Sequence, residues 1–257
     1  MRYLNVGSGS KGNSTIVYTA HTAILIDCGL SKKRVTDCLK TIGLNLEDLA
    51  ALLITHRHSD HAGHLDSFNC LKDRTYSGDA FVVDQAYRST NVIGAFQKIS
   101  IGDFDITALP TSHDVPDSMG YLIEDRAKNE RMMYMTDTGY IPSKDLDCCV
   151  DCDFYLLESN YDPETLLRSD RDNRLKMRIL GDKGHLSNQQ CSHYLSEMVG
   201  PHTREVALAH LSEECNTPEM AVDTFKALFK AQFDKVPDLI LKTLKQKEPT
   251  SGGDTVN

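Results

Sequence analysis

The stretch Thr55-His-Arg-His-Ser-Asp-His-Ala-Gly-His64 follows an apolar run, ALLI, and carries the densest group of histidines in the chain. His56, His58, Asp60 and His61 fall within it at H-x-H-x-D-H spacing. Neutral imidazole and carboxylate groups are the usual ligands of zinc and similar ions. A solvated, histidine-rich turn explains one or two of these residues but not the whole pattern. The stretch therefore predicts a metal site directly after a buried strand.

Strand and helix patterns occur along the rest of the chain. Apolar and β-branched runs predict strands, and apolar residues at helical spacing behind a capping residue predict helices. The predicted strands are Arg2–Val6, Thr15–Thr19, Ala23–Asp27, Ala51–Thr55, Ala80–Val83, Gln97–Ile101, Asp105–Leu109, Tyr121–Glu124, Met132–Thr136, Phe154–Leu157 and Glu205–Ala209. The predicted helices cover 31–43, 187–198 and 217–233. We expect a single domain at 1–246 and a disordered tail at 247–257.

The composition limits the class of protein. The chain has 257 residues, of which 40% are hydrophobic and 25% charged, as in ordinary soluble globular proteins. No apolar run is long enough to cross a bilayer, and the start, MRYLNV, lacks the apolar core of a signal peptide, so we expect a cytoplasmic protein without a membrane partner. Eight irregularly spaced cysteines are interpreted as reduced thiols. The net charge of −9 excludes nucleic-acid binding by overall basicity, although a local basic patch or bound cations can reverse the field.

The glycine loop near the start, Gly7-Ser-Gly-Ser-Lys-Gly-Asn-Ser14, matches G-x-G-x-x-G in its letters. A dinucleotide-binding fingerprint must open a helix, whereas a β-branched strand pattern follows this loop. Asn13 also stands where a phosphate-binding P-loop requires lysine. The loop therefore predicts no nucleotide cofactor. Its small residues instead allow a substrate close to the backbone, with Ser10, Lys11 and Asn13 as candidate phosphate contacts.

The histidine stretch resembles the T-H-x-H-x-D-H signature of the metallo-β-lactamase superfamily. His113, Asp137 and His210 each follow a predicted strand, in the order of that family's later metal ligands. The resemblance implies an α/β or α+β fold, a four-layer αβ/βα sandwich of two mixed sheets flanked by helices. It also implies two divalent metal ions per chain, Zn²⁺ or Mn²⁺, with Fe and Mg as alternatives.

The same resemblance implies a role for each ligand. The first metal would take His56, His58 and His113, the second Asp60, His61 and His210, and Asp137 would bridge the two. Two such ions lower the pKa of a shared water, so that hydroxide forms near neutral pH, and they stabilise charge on the reacting oxygens. In hydrolytic members the residue at Asp60 also orients this nucleophile. Asp27, in the Ile-Asp-Cys-Gly run at 26–29, is expected to support the histidine loop, residues 55–64.

Two further motifs resemble the nucleic-acid-processing branch of the superfamily: Leu157-Glu-Ser-Asn160 after a strand and Gly184-His-Leu-Ser-Asn188 before a helix. In that branch a carboxylate pairs with a histidine near the scissile phosphate. Phosphodiester cleavage expels an alkoxide, which a carboxylate-oriented imidazolium protonates or stabilises. Glu158 is therefore expected to orient His185, the candidate general acid. In the alternative interpretation, Ser187 caps the helix and His185 is a turn residue.

The segment between Arg168 and Lys183 carries a local excess of positive charge in an acidic chain. We expect Arg171, Arg174 and Lys183 to contact the phosphate backbone of a nucleic acid. The alternative is a solvated helical face, in which the basic side chains pair with neighbouring acidic ones.

The pattern as a whole resembles the YycJ/WalJ-like subgroup of the superfamily over about residues 2–220. It shares the S-G-S-x-G-N loop, the E-S-N segment and the late run at 210–219. The resemblance implies a DNA exonuclease that works 5′ to 3′. The alternatives are a small-molecule thioester or lactone hydrolase, a non-catalytic metal- or DNA-binding module, and an RNA-processing nuclease. RNA-processing β-CASP relatives carry a large inserted cap domain, and we identify no such insertion in this sequence. The sequence leaves the oligomeric state open.

Overall fold

The computed structural model describes residues 1–80 and 91–254. Most of the strand predicted at 80–83 lies outside the described residues. Two β-sheets, of six and seven strands, and a set of helices account for most of the described chain. Both sheets contain parallel and antiparallel pairs, so the prediction of two mixed sheets flanked by helices is confirmed. None of the helices in the described residues is both long and apolar enough to span a bilayer.

The elements are numbered here in chain order. The strands are β1 (Arg2–Gly7), β2 (Ser14–Tyr18), β3 (Ala23–Ile26), β4 (Leu49–Ile54), β5 (Thr75–Ser77), β6 (Lys98–Ile101), β7 (Phe104–Pro110), β8 (Met119–Asp125), β9 (Glu130–Met135), β10 (Phe154–Glu158), β11 (Glu205–Ala209), β12 (Ile240–Thr243) and β13 (Thr250–Gly253). The α-helices of the described residues are α1 (Lys32–Thr41), α2 (Ser59–Ala62), α3 (Ser143–Cys149), α4 (Pro163–Arg168), α5 (Asn173–Leu180), α6 (Asn188–Met198) and α7 (Pro218–Phe233). Short 3-10 helices cover Leu46–Asp48 and Leu65–Arg74.

Close contacts divide the chain into two compact units. The first comprises Met1–Pro110, Val115–Glu130 and Lys245–Asn257, and the second comprises Thr111–Asp114 and Arg131–Leu244. The first unit holds the six-stranded sheet and β6–β8, and the second holds β10–β12 and nearly all of β9. The extent of a single domain at 1–246 stays a prediction.

The six-stranded sheet of the first unit has the order β13-β1-β2-β3-β4-β5. Its strands are antiparallel from β13 to β3 and parallel from β3 to β5. Parallel neighbours need a crossover, which α1 supplies between β3 and β4. Ser31 caps α1 through its side chain, and the helix buries Val35, Cys38 and Leu39 in one core cluster with residues of the sheet. The ends of β3 and β4 therefore lie side by side, with Asp27 after the first and the histidine loop after the second.

The strands β9–β12 of the second unit are parallel, in the order β12-β11-β10-β9. The carboxyl ends of parallel strands share one edge of a sheet, and ligands of open α/β sheets bind there. Asp137, Glu158 and His210 lie at or just after the ends of β9, β10 and β11. A capping box between Ser187 and Gln190 starts α6, so the predicted N-cap at Ser187 is confirmed.

The C-terminal segment differs from the sequence-based expectation. The tail predicted to be disordered contains β13, which pairs with β1 from Arg2↔Gly253 to Asn5↔Thr250. Without this partner β1 would present unpaired backbone groups at a sheet edge, and pairing them offsets the weak strand propensity of Thr-Ser-Gly-Gly. The strands β5 and β12 were also not predicted, because segments of three or four residues carry too little periodicity.

Asp145 lies in the first turn of α3 and is wholly buried. Neither of its carboxylate oxygens has a hydrogen-bond partner among the described residues, and burial raises the pKa of Asp145 to about 7. The folded chain therefore holds a proton that the unfolded chain releases at about pH 4. By linkage, the contribution of Asp145 to the free energy of unfolding decreases as pH rises from about 4 to about 7.

We expect Asp145→Asn to be more stable than the parent chain by about 1–2 kcal/mol at pH 8, because the amide has no charge to desolvate. The gain should be less than half as large at pH 5, where the parent carboxyl is protonated. Urea unfolding followed by circular dichroism measures both values. Asp147→Asn, on the exposed side of the same helix, is the matched control. A gain of equal size at both pH values would contradict the buried proton.

Candidate metal and catalytic centre

The histidine loop, residues 55–64, leads from β4 into α2. His56 Nε2 lies 3.1 Å from His58 Nδ1, and the ring centroids of His56 and His61 are 4.1 Å apart. His61 Nε2 lies 3.5 Å from a carboxylate oxygen of Asp60. The four predicted ligands of the first unit are therefore brought together, as the H-x-H-x-D-H spacing predicts.

Asp27 fixes the histidine loop from the end of β3. One carboxylate oxygen accepts hydrogen bonds from the backbone N–H and the hydroxyl of Thr55, at 2.8 and 3.0 Å, and the other lies 2.7 Å from His61 Nδ1. The Thr55 hydroxyl also lies 3.0 Å from His56 Nδ1. Because Nδ1 is engaged in both rings, Nε2 is the nitrogen that His56 and His61 would each offer to a metal. Burial raises the pKa of Asp27, although the neighbouring His61 acts to lower it. The hydrogen bonds to Thr55 and His61 confirm that Asp27 supports the histidine loop.

Arg57 and Asp79 form an ion pair that the sequence pattern did not indicate. The guanidinium donates two hydrogen bonds to the carboxylate, one of them from Nη2 to Oδ1 at 2.7 Å. Asp79 is 1% exposed, whereas the Arg57 side chain is 34% exposed, so the carboxylate is buried and the guanidinium stays partly open to water. Bidentate pairs fix geometry as well as contributing energy. Because Arg57 lies between His56 and His58 in the chain, this pair also constrains the backbone that carries both histidines.

The glycine loop lies against the histidine loop. Asn13 is wholly buried, its backbone N–H donates to the Asp60 carbonyl at 2.7 Å, and its side-chain nitrogen lies 3.0 Å from His61 Nε2. The prediction that Asn13 contacts substrate is therefore corrected, because its side chain is enclosed and positions the ligand loop instead. Ser10 and Lys11 are exposed in the turn of the glycine loop, where a substrate can reach them.

A second cluster lies at the carboxyl edge of the parallel strands. Asp137, Glu158, His185 and His210 each place one ligand-type atom within 4.8 Å of the others. Glu158 is wholly buried, and its Oε1 lies 2.7 Å from His185 Nδ1 and 3.0 Å from His210 Nδ1. Its Oε2 accepts two backbone N–H hydrogen bonds, each of 3.1 Å. One carboxylate thus orients two imidazoles.

Glu158 and His185 shift each other's pKa toward the charged form. Burial alone would raise the pKa of Glu158, but the His185 charge and hydrogen bonds from His185 and His210 lower it. Burial alone would lower the pKa of His185, whereas the Glu158 carboxylate raises it. These directions favour an ionised carboxylate beside a protonated imidazole. The His185 side chain is 20% exposed and that of Glu158 is 0% exposed, so the imidazole is the member of the pair that a substrate can reach.

His113, the remaining candidate ligand of the second unit, lies beside this cluster. His113 Nδ1 lies 3.3 Å from the Gly184 carbonyl oxygen, and its Nε2 lies 3.9 Å from Oδ1 of Asp137. Burial lowers the pKa of His113, which favours the neutral imidazole that metal binding requires. Asp137 and His210 have φ angles of 56° and 54°, in the left-handed region. Such backbone is uncommon outside glycine and concentrates at functional sites.

The basic segment divides into paired and open side chains. Arg174 and Lys183 are exposed and form no side-chain ion pair among the described residues. Arg171 is engaged with Glu214, its Nε lying 2.8 Å from the carboxylate. The expectation of phosphate contacts is therefore compatible with Arg174 and Lys183, whereas Arg171 fits the alternative of a paired surface charge.

The donor set of the two units fits divalent metal ions. Four of its histidines, His56, His61, His113 and His210, have one ring nitrogen held by a carboxylate, hydroxyl or carbonyl, the usual outer arrangement around metal-ligating histidine. Aspartates add the oxygen donors that zinc, manganese and iron accept. The residues able to hold metal are His56, His58, Asp60 and His61 in the first unit, and His113, Asp137 and His210 in the second.

Comparison with known proteins relates most of the chain to one family. The beta-lactamase superfamily domain matches residues 22–210. Exodeoxyribonuclease WalJ of Streptococcus pneumoniae is 34% identical over 236 residues, which cover 86% of this chain and 85% of the relative. Exodeoxyribonuclease YycJ of Bacillus anthracis is 29% identical over 224 residues, which cover 84% of each chain. The crystal structure of the metallo-β-lactamase fold protein YhfI of Bacillus subtilis superposes with a TM-score of 0.68, at 18% identity over 98% of this chain and 99% of that one, a likeness of fold.

We expect Asp27→Asn to weaken zinc binding by about 10–100-fold, because His61 and Thr55 lose a charged partner that orients the loop. Asparagine tolerates the left-handed backbone of this position, where φ is 62°, so the fold should survive. Competition with a chromophoric chelator measures the affinity, and Asp37→Asn on the exposed face of α1 is the control. Zinc affinity within about twofold of the parent value would contradict the role of Asp27.

Proposed function

Because this chain belongs to the metallo-β-lactamase superfamily, in the subgroup of WalJ and YycJ, we propose that it is a dinuclear metal-dependent exonuclease that degrades DNA from 5′ to 3′. The family and the exodeoxyribonuclease relatives establish the broader statement that the chain is a metal-dependent hydrolase of phosphodiester bonds. The observation that carries the finer proposal is the Glu158–His185 pair, with its partly exposed imidazole.

His185 is suited to assist a leaving alkoxide. Its Nδ1 lies 2.7 Å from Glu158, so its Nε2 is the nitrogen left to face a substrate. The carboxylate favours the imidazolium form, which donates a proton to the leaving oxygen or stabilises negative charge on the phosphate. A thioesterase expels a thiolate, which needs no such acid. The pair therefore favours phosphodiester cleavage over thioester hydrolysis.

We propose that the residues of this chain that match the family's ligand set are its metal ligands. His56, His58, Asp60 and His61 come from the first unit, and His113, Asp137 and His210 come from the second. When bound, divalent ions supply activation of water and stabilisation of charge on the reacting oxygens. The Asp60 carboxylate is 23% exposed, which suits it to accept a hydrogen bond from the attacking water and orient it. The buried supports of the histidines keep the imidazoles in one orientation.

Substrate contacts are proposed at the exposed basic and hydroxyl side chains. Arg174 and Lys183 in the second unit and Ser10 and Lys11 in the first are open to solvent. Cations and hydroxyls bind phosphate oxygens without reading sequence, as an exonuclease that degrades DNA of any sequence requires. The preference for DNA rests on the exodeoxyribonuclease relatives.

The test of the proposed function is digestion of 5′- and 3′-end-labelled DNA and RNA, single- and double-stranded, with zinc or manganese. We expect mononucleotides or short products to accumulate progressively from the 5′ end of DNA. Asp137→Asn should abolish this activity while the protein stays folded. A folded, metal-loaded preparation that cleaves neither nucleic acid would refute the proposal, and turnover of thioesters or lactones in its place would support the small-molecule alternative.

We expect His185→Ala to lower kcat on DNA by about 10²–10⁴-fold with little change in metal content, because the variant loses the acid but no proposed ligand. Steady-state kinetics together with metal analysis of the purified protein measure both quantities. The control is His193→Ala, on the exposed face of α6 beside Glu197. If His185→Ala retains near-parental kcat, the acid role is wrong.

We expect the double variant Arg174→Ala, Lys183→Ala to raise KM for DNA with kcat nearly unchanged. Removing two cations from the phosphate backbone should also reduce the slope of log affinity against log salt by about two. Binding to a labelled duplex over a range of salt concentrations measures this slope. Lys226→Ala, on the exposed surface of α7, is the control. An unchanged slope would show that Arg174 and Lys183 do not contact the DNA backbone.

A further inference from the structure

Two buried asparagines join three loops of the second unit. Asn188 begins α6, and Asn216 directly precedes the N-cap of α7. Their side-chain amides pair reciprocally, with Asn188 Nδ2 2.9 Å from Asn216 Oδ1 and Asn216 Nδ2 2.9 Å from Asn188 Oδ1. Asn188 is 0% exposed and Asn216 is 6% exposed. The amide pair thus ties the loop before α6 to the loop after β11, away from water.

Asn216 also holds the chain that follows Glu158. Its Nδ2 donates to the carbonyl oxygens of Ser159 and Asn160, at 2.8 and 3.1 Å. The Ser159 hydroxyl donates to Asn188 Oδ1 at 2.6 Å. The Asn216 side-chain nitrogen therefore faces three acceptors: the carbonyl oxygens of Ser159 and Asn160 after β10, and Oδ1 of Asn188 at the start of α6. The third loop, at the end of β10, is fixed by the same pair.

These bonds continue to the two imidazoles of the cluster. Asn160 Nδ2 donates to the His210 carbonyl oxygen at 2.7 Å and lies 3.2 Å from His210 Nδ1. The Asn160 backbone N–H donates to the Leu186 carbonyl at 2.9 Å, and the Leu186 N–H donates to Glu158 Oε2 at 3.1 Å. The residue next to Leu186 is His185, whose Nδ1 faces the other oxygen of Glu158. The amide pair is thus connected by hydrogen bonds to both histidines that share Glu158.

Such a network has a cost that packing alone would avoid. A buried amide without hydrogen bonds destabilises a fold, and a fully bonded polar network mainly fixes a single arrangement. The three motifs E-S-N, G-H-L-S-N and N-T-P-E each contribute one of the asparagines, Asn160, Asn188 and Asn216. Neither the metal donors nor the acid of the proposed mechanism accounts for these asparagines.

We propose that Asn216, paired with Asn188, is a positioning residue that sets the geometry of Glu158, His185 and His210. This inference rests on the proposed function for its kinetic consequence, but its structural consequence is measurable without substrate. Asn216 touches neither imidazole, and it acts through the backbone of Ser159 and Asn160.

Two substitutions to aspartate remove different numbers of the hydrogen bonds that the asparagine side chains donate. Asn188→Asp keeps an acceptor for Ser159 and for Asn216 Nδ2, and it removes one donated bond. Asn216→Asp removes all the side-chain donors and places a carboxylate against the Ser159 and Asn160 carbonyls. Both positions are at helix N-termini, where a negative charge is favoured, so both variants are expected to fold. The charge control is Asn129→Asp, in an exposed turn with φ 56° that aspartate tolerates.

The experiment compares these three variants with the parent chain as zinc-loaded full-length protein. We expect Asn216→Asp to lower kcat on DNA about 10–100-fold with KM within about twofold, and to weaken zinc binding about 10-fold through His210. Asn188→Asp should lose less than about 5-fold in kcat, and Asn129→Asp nothing. In ¹⁵N-histidine spectra, the imidazole N–H signals of His185 and His210 should shift or broaden in Asn216→Asp and stay near parental values in Asn129→Asp.

Each outcome separates this inference from the proposed function. If the parent chain cleaves no DNA, the proposed function fails, and zinc affinity with the imidazole signals still decides the role of Asn216. Parental kcat, zinc affinity and imidazole signals in folded Asn216→Asp would overturn the inference. Should Asn216→Asp not fold, the inference stands if Asn188→Asp folds and shifts the imidazole signals, and it falls if those signals are unchanged.

Discussion

The charge of Glu158, wholly buried at the end of β10, is the constraint on which the arrangement of the second unit's cluster depends. A buried carboxylate costs several kcal/mol unless opposite charge and hydrogen bonds offset the loss of water. Here two imidazoles and two backbone N–H groups surround it. The same contacts that stabilise the carboxylate also fix the rings of His185 and His210. Orientation of the histidines is therefore a consequence of burying the acid.

The first unit uses a related arrangement. Asp27 is wholly buried and contacts both Thr55 and His61, which determines the ring nitrogen that His61 offers to a metal. Asp27, Asp137 and His210 all have φ angles in the left-handed region, within two residues of strand ends. A strand followed by such a residue turns sharply, which suits it to aim a side chain at the edge of the sheet. Local strain at these positions is maintained by the surrounding strands and hydrogen bonds.

The sequence indicates the candidate ligands because they come in a spaced motif or follow strong strand patterns. H-x-H-x-D-H is informative by its density, whereas His113, Asp137 and His210 gain meaning from their order after strands. Single supporting residues have no such pattern. Asp79 stands outside any motif, and the motif that contains Asn216 does not indicate its role. The roles of both depend on contacts with residues 22 and 56–57 positions away. No periodicity records such contacts.

The structure differs from what local composition suggests at three places, for a common physical reason. Asn13 lies in a loop of small residues, and the letters alone do not distinguish a side chain that faces substrate from one enclosed by a neighbouring loop. The polar segment at the C-terminus has weak strand propensity, yet β13 forms because β1 offers unpaired backbone groups. Arg171 is basic like Arg174, but Glu214, 43 positions later, engages it. In each case a tertiary contact decides what local composition leaves open.

The central claim is that His185, oriented by Glu158, assists departure of the alkoxide. The most direct measurement compares cleavage of ordinary DNA with that of DNA in which sulfur replaces the leaving-group oxygen of the scissile phosphate. A thiolate leaves without a proton, so the loss of kcat in His185→Ala should shrink from about 100-fold or more on the oxygen substrate to less than about 5-fold on the sulfur substrate. An equally large loss on both substrates would contradict the claim.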